Sequence, residues 1–213
     1  MRKLRILIMA LCAVATIAAS VMGTLSYLTD SEQAVNTFTV GNVDIILDET
    51  DVDTDGRPID GNPRVKGNEY HLIPAGVYVK DPTVTVKKGS EEAYIRMLVT
   101  ISDISDIKAV LGDWLPENYV EGYNNNIWKC VNIKDNGDDT VTYEFRYYKG
   151  IDKASADIVL EPLFEKIKVP VEIDGKGLSK IQEMKITVIG NAIQKAGFEN
   201  EDAAWKAFDT QMK

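Results

Sequence analysis

Along most of the chain after residue 36, apolar residues recur at every second position, the period of a strand that buries one face. In NTFTVGNVDIIL, Phe38, Val40, Val43, Ile45 and Leu47 form the core set, and Gly41-Asn42 marks a bulge or kink. Val84 and Val86 alternate with Thr and Lys in DPTVTVKKGS. In AYIRMLVTIS one face holds Ala93, Ile95, Met97, Val99 and Ile101; Arg96 and Thr100 take the other. Val141, Tyr143, Phe145 and Tyr147 alternate with Thr142, Glu144 and Arg146. Ile167, Val169, Val171 and Ile173 repeat the pattern in FEKIKVPVEI, where Pro170 lacks an N–H and places the strand at an edge or a bulge. Met184, Ile186 and Val188 close the series.

Helical spacing is confined to two short stretches. SDISDIKAVLGDW opens on Ser/Asp and sets Ile107, Val110 and Leu111 on one face. ENEDAAWKAFD begins with acids and spaces Ala204, Trp205 and Phe208 as a helix does. Six or more alternating strands with one or two peripheral helices predict an all-β domain. The expected form is a two-sheet antiparallel β-sandwich of the jelly-roll or immunoglobulin kind. No internal repeat or low-complexity linker divides it.

The first residues follow a different pattern. MRKLRILIMALCAVATIAASVMG begins with Arg2, Lys3 and Arg5 and continues apolar or small from residue 6 to 22. A basic start followed by an apolar run is the layout of a secretory signal peptide. The run is also just long enough for a signal-anchor helix, which stays open. Cys12 follows Leu11 in mid-run, so no lipid anchor is expected there. Small residues at Thr24 and Ser26 predict cleavage before Tyr27; Val21 and Gly23 offer a second site. The expected organisation is a signal peptide over 1–26, an N-terminal extension and first strand over 27–46, and a sandwich domain over 47–213.

Charge and chemistry narrow the picture further. The formal net charge is −9, and loss of the leader's three basic residues moves it to −12. An acidic chain repels a nucleic-acid backbone, so no nucleic-acid partner is expected. With Cys12 in the leader, Cys130 stands alone and is read as a buried apolar side chain. There is one histidine, His71, in NEYHLIPAG, with neither HExxH nor GxSxG in the chain. No enzymatic activity is expected. LDETDVDTDGRPIDGNP places Asp51, Asp53, Asp55 and Gly56 as in the first half of a calcium loop, with Asp60 as a further oxygen donor. The second half departs from that loop, because Asn62 stands where a bidentate Glu is needed. An acidic hairpin tip with Asp-Gly turns accounts for the same residues. The aromatic strand YEFRYYK reads as core plus cross-strand pairs before it reads as a sugar-stacking face.

The leader boundary, GTLSYLTDSEQAVNTFTVGNV, carries the most specific signal. Gly23, Thr24, Ser26, Tyr27, Asp30, Asn36, Phe38 and Gly41 resemble the boundary of proteins processed by SipW-type signal peptidases, the TasA/camelysin group. A weaker likeness extends over Pro74, Gly76, Lys80, Gly89, Tyr94 and Arg96, and over ITVIGNAIQKAGFENEDAAWKAF; residues 103–160 carry no matching motif. The resemblance implies a jelly-roll-type β-sandwich, secretion, and assembly into extracellular matrix fibres that support a biofilm. It also implies, as partners, a SipW-type signal peptidase and other copies of the chain or related matrix subunits. Membrane contact is expected only through the uncleaved leader. In such fibres the N-terminal segment of one subunit adds as a strand to the next. Here that segment is YLTDSEQAVN, residues 27–36, with Tyr27, Leu28, Ala34 and Val35 as its apolar members. Some relatives carry a metallopeptidase label, but no zinc motif here matches it. A calcium-dependent adhesin and a fibre-assembly accessory are the alternative readings.

Overall fold

The computed structural model describes residues 29–32, 43–112, 119–181 and 183–211. Phe38, Val40 and the Gly41-Asn42 kink lie outside them. In chain order the elements are β1 (Thr29–Glu32), β2 (Ile45–Asp48), β3 (Val77–Val79), β4 (Thr83–Val86), β5 (Ala93–Ile101) and α1 (Ile104–Leu111). There follow β6 (Val120–Glu121), β7 (Trp128–Asp135), β8 (Val141–Tyr147), β9 (Ile158–Val159), β10 (Lys166–Lys168), α2 (Gly175–Lys180), β11 (Ile186–Gln194) and α3 (Glu201–Gln211).

The strongest alternation builds the largest sheet, in the order β1-β11-β5-β8-β7, antiparallel throughout. β11 pairs with β5 along its whole length, from Ile186 opposite Ile101 to Gln194 opposite Ala93. Two three-stranded antiparallel sheets complete the β structure, β2-β4-β9 and β3-β10-β6. The chain is therefore β-rich with three short helices among the described residues, and its hydrogen-bonded sheets number three where alternation alone predicts two.

The core lies between the large sheet and β2-β4-β9. Ile95, Met97, Val99 and Ile101 from β5, with Val141, Tyr143, Phe145 and Tyr147 from β8, meet Ile45, Val84 and Val86. Gly190 on β11 brings the layers close: a Cβ there would touch Ile45, Leu47 and Val84 at 3.5 Å. Each such aliphatic or aromatic burial stabilises the fold by roughly 1.5–3 kcal/mol. Cys130, expected to be buried, is only half-buried, because it lies on β7 at the edge of the large sheet and packs against the core from there.

The opposite face of the large sheet is covered at one end by α3. Ala204, Trp205 and Phe208 lie on Ile193, with Tyr94 and Phe198 at the margin. That is why β11 and β5 are buried on both faces over part of their length.

Three local readings change. The strand expected through Ile173 ends at Lys168. Val169 still donates to the Gly76 carbonyl at 2.9 Å, but Pro170 has no N–H to continue the ladder. The chain turns, and Val171 is 70% exposed. The first helix is not capped by Asp103, whose φ is 57° and whose side chain makes no cap bond. Asp139, in the loop between β7 and β8, caps it from outside. Its backbone carbonyl accepts from Ile104 N–H at 3.2 Å, and its carboxylate accepts from Ser105 N–H at 2.9 Å. Finally, β7 is a strand that alternation misses, because it is an edge strand whose Val131 and Ile133 are exposed.

Candidate functional site

The N-terminal segment meets the fold at the edge of the large sheet. β1 runs antiparallel to β11, pairing Thr29 with Ile193, Asp30 with Ala192, Ser31 with Asn191 and Glu32 with Gly190. TDSE is polar and too short to build a core, so its strand conformation comes from main-chain pairing with β11. Thr24, Ser26 and Tyr27, expected at the cleavage site, lie outside the described residues, as do Leu28, Ala34 and Val35. The four residues between Leu28 and the glutamine at 33 are those seen in the ladder.

The acidic loop after β2 folds as a tight hairpin. Val52 bridges Pro58, Asp53 N–H donates to the Arg57 carbonyl at 2.9 Å, and Gly56 N–H to the Asp53 carbonyl at 2.8 Å. The Asp53 carboxylate accepts the N–H groups of Asp55 and Arg57 at 3.0 and 2.9 Å. Asp55 pairs with Arg57, and Asp51 accepts from the Asn62 amide. The carboxylates of Asp51, Asp53 and Asp55 thus hold the loop's own donors, and Asp60 is exposed. Among the described residues no three His, Cys, Asp or Glu side chains gather into a metal-binding group. Gly56 serves packing: its φ is 76°, and a Cβ there would lie 2.7 Å from the Tyr78 Cα.

Below this hairpin lies a sealed polar centre. Lys80 Nζ donates to Glu49 Oε2 at 2.7 Å, with the two side chains only 8% and 5% exposed. The second carboxylate oxygen, Oε1, accepts from Asn68 Nδ2 at 2.9 Å. Asn68 Nδ2 also donates to the Thr50 carbonyl at 2.8 Å, and its Oδ1 accepts the Val52 N–H at 3.0 Å. The amide is therefore fixed by all its partners. Tyr70 and Tyr78 wall the centre edge to face at 5.7 Å, and Lys80 Nζ lies 5.8 Å from the Tyr70 ring. Burial first, and the nearby Glu49 charge second, push the Tyr70 hydroxyl well above the usual tyrosine range. Beside it, Arg64 reaches Asp48, Asp81, Thr50 and Thr83, closing the loop onto β2 and β4.

A second buried cation, Arg96, lies under α3. Its guanidinium stands 4.5 Å from the Trp205 ring and 4.9 Å from Phe208. It bonds both oxygens of Asp209, donates to Asn191 Oδ1 at 3.1 Å, and has Glu144 at 3.7 Å.

The residues of the weaker likeness fall at such structural positions. Gly76 lets the Tyr78 hydroxyl approach, since a Cβ would lie 2.4 Å from that oxygen. The hydroxyl accepts from Ile73 N–H and donates to the His71 carbonyl. Gly89 turns at φ 93°, Tyr94 packs beside α3, and Lys80 and Arg96 are the two buried cations among the described residues. His71 is exposed and its N–H donates to the Thr54 carbonyl. Sequence reasoning picked out neither Glu49 nor Asn68. Polar residues in an irregular loop give no periodic signal, so only the fold brings them to Lys80. No helix among the described residues is long and apolar enough to cross a membrane. Comparison of the chain with protein-family models, with curated proteins and with solved structures found no match.

Proposed function

We propose that this chain is a secreted structural subunit of extracellular matrix fibres, without enzymatic activity, joined to its neighbours by N-terminal strand addition. The observation that carries this reading is the pairing of residues 29–32 with β11, the strand that would be the edge of the large sheet without them. A polar segment just beyond an apolar leader forms a strand by borrowing a sheet edge. A second copy's edge offers the same main-chain donors and acceptors. Repeated head to tail, that exchange produces a filament. Cleavage of the leader is then the switch, because it frees the segment to pair. The likeness of residues 23–41 to the TasA/camelysin boundary supports the same reading.

The finer fold belongs with it: a jelly-roll-like sandwich in which the two small sheets act as one layer. Two continuous stretches support this, residues 77–86 and 158–168. They pair as β4 with β9 and β3 with β10. Between the pairs, Lys80 N–H donates to the Glu165 carbonyl at 3.0 Å and Leu163 N–H to the Pro82 carbonyl at 3.0 Å. One long ladder, interrupted around Asp81, faces the large sheet.

Negative-stain electron microscopy of the purified chain starting at Tyr27, at neutral and mildly acidic pH, tests the proposal. Filaments are expected, and a chain lacking residues 27–36 is expected to stay monomeric. Monodisperse particles of the longer chain under every condition would overturn it.

A further inference from the structure

The sealed centre at Lys80 holds the parts of an amide-forming reaction: an amine, a carboxamide and a carboxyl group touching both. We propose that the folded chain joins Lys80 Nζ to Asn68 Cγ, releasing ammonia, with Glu49 carrying the protons. This proposal is independent of the fibre reading.

The geometry assigns each role. Glu49 bonds the lysine through Oε2 at 2.7 Å and the asparagine through Oε1 at 2.9 Å, so nucleophile and electrophile meet across one carboxylate. A lysine attacks only as the neutral amine. Glu49 Oε2, on the lysine nitrogen at 2.7 Å, is placed to take the ammonium proton. Lysine suits this step, since an arginine would keep its charge. The Asn68 carbonyl oxygen already accepts the Val52 N–H at 3.0 Å, a fixed donor where negative charge develops during attack. The Asn68 nitrogen, the leaving group, lies on the carboxyl group that protonates it. The rings of Tyr70 and Tyr78 help exclude water, which favours the amine over hydrolysis.

The step balances without a co-reactant. The Nζ–Cγ bond forms and the Cγ–Nδ2 bond breaks. Glu49 gives its proton to the departing nitrogen and takes one from the attacking nitrogen. Lysine ammonium and carboxamide become a secondary amide plus ammonium, with no change of oxidation state. The product ties the loop at Asn68 covalently to the end of β3.

Mass spectrometry of the folded, purified chain decides the matter. The expected intact mass is one ammonia below that dictated by the sequence from its own N-terminus. Digestion is expected to release a branched peptide joining the Asn68 and Lys80 segments. Glu49→Gln and Lys80→Arg should restore the full mass, and Asn68→Asp should form the same bond with loss of one water. A wild-type chain that keeps its full mass after prolonged incubation overturns the proposal, whatever the variants do. So does a deficit traced to an unbranched peptide, such as an imide at Asn136-Gly137. A branch that forms as readily in Glu49→Gln overturns the role of Glu49.

Discussion

Lys80 and Arg96 are both cations removed from water, and the contrast between them separates a fastener from a reactive centre. Arg96 lies between Trp205 and Phe208 and takes Asp209, a half-exposed carboxylate, through two of its nitrogens. Its plane matches both the rings and the carboxylate, and its charge is permanent. It holds α3 on the sheet and can do little else. Lys80 has a compact ammonium, a sealed carboxylate and a carboxamide on that carboxylate's other oxygen. Its proton is transferable, and its neighbours are chemically competent. Burial alone therefore does not mark a functional cation; the identity of the cation and the second partner of its carboxylate do.

The largest expected effect comes from removing the fastener. Arg96→Ala leaves the α3 rings without their cation and Glu144 short of one partner, and should cost about 3–5 kcal/mol in urea denaturation. Arg96→Lys should recover less than half, because an ammonium can neither stack flat nor bond two oxygens at once. Recovery of full stability by lysine would mean that charge alone holds α3, and the contrast with Lys80 would collapse.

At the other centre, measured against Asn68→Ala, in which the amide bond cannot form and the ion pair persists, Lys80→Met or Glu49→Gln should cost about 3 kcal/mol, by leaving a buried group without its partner. In that background the Lys80→Met/Glu49→Leu double variant should cost less than either single change. An additive double variant would show that the two side chains act independently.

The acidic hairpin gives a smaller effect. Gly56→Ala should cost about 1–2 kcal/mol from the left-handed backbone alone, more once Tyr78 is displaced. Added calcium should leave the thermal midpoint unchanged, since the loop's carboxylates hold its own donors. A calcium-dependent rise that Asp53→Ala abolishes would restore the adhesin reading.

How far the sequence foretold these regions depends on which physical signal each one carries. β5 and β8 were legible because one face is apolar at every second residue and that face is buried, and the start of β11 because Ile186 and Val188 alternate, although both are half-buried. α3 was legible from Trp205 and Phe208. What periodicity cannot give is partnership at a distance. Arg96 reads as the polar face of a strand until α3, more than a hundred residues later, covers it. Asp103 has the residue type of a helix cap, yet a side chain from another loop takes the position. Asp51, Asp53 and Asp55 have the spacing of ligands, but nearby N–H groups and side chains satisfy them first. Glu49 and Asn68 stand in an aperiodic loop, and only the bridge of Glu49 to Val65 brings them together.

The smallest expected effect lies at a polar contact between these extremes, partly open to solvent. The Tyr147 hydroxyl donates to Glu161 Oε2 at 2.5 Å, beside Trp128, whose indole N–H donates to the Glu161 carbonyl. That hydroxyl bond is the main cause holding the Glu161 carboxyl below its ordinary 4.5. Burial first, then the bond to Glu161, raise the Tyr147 hydroxyl above its ordinary 10.0. The two shifts act at opposite ends of the pH scale. Glu161 is the depressed acid, so its contribution is present above 4.5 and is lost as pH falls through the lower folded value. Tyr147 is the raised acid, so its contribution is present below 10.0 and is lost as pH rises toward the higher folded value. With Glu161 screened by solvent, the bond contributes about 0.5 kcal/mol at neutral pH. Tyr147→Phe should therefore flatten both limbs of the stability–pH curve while barely moving its plateau. A variant that lowers the plateau by as much as Lys80→Met would show that this contact, too, is sealed from water, and that exposure of the carboxylate does not separate the two kinds of site.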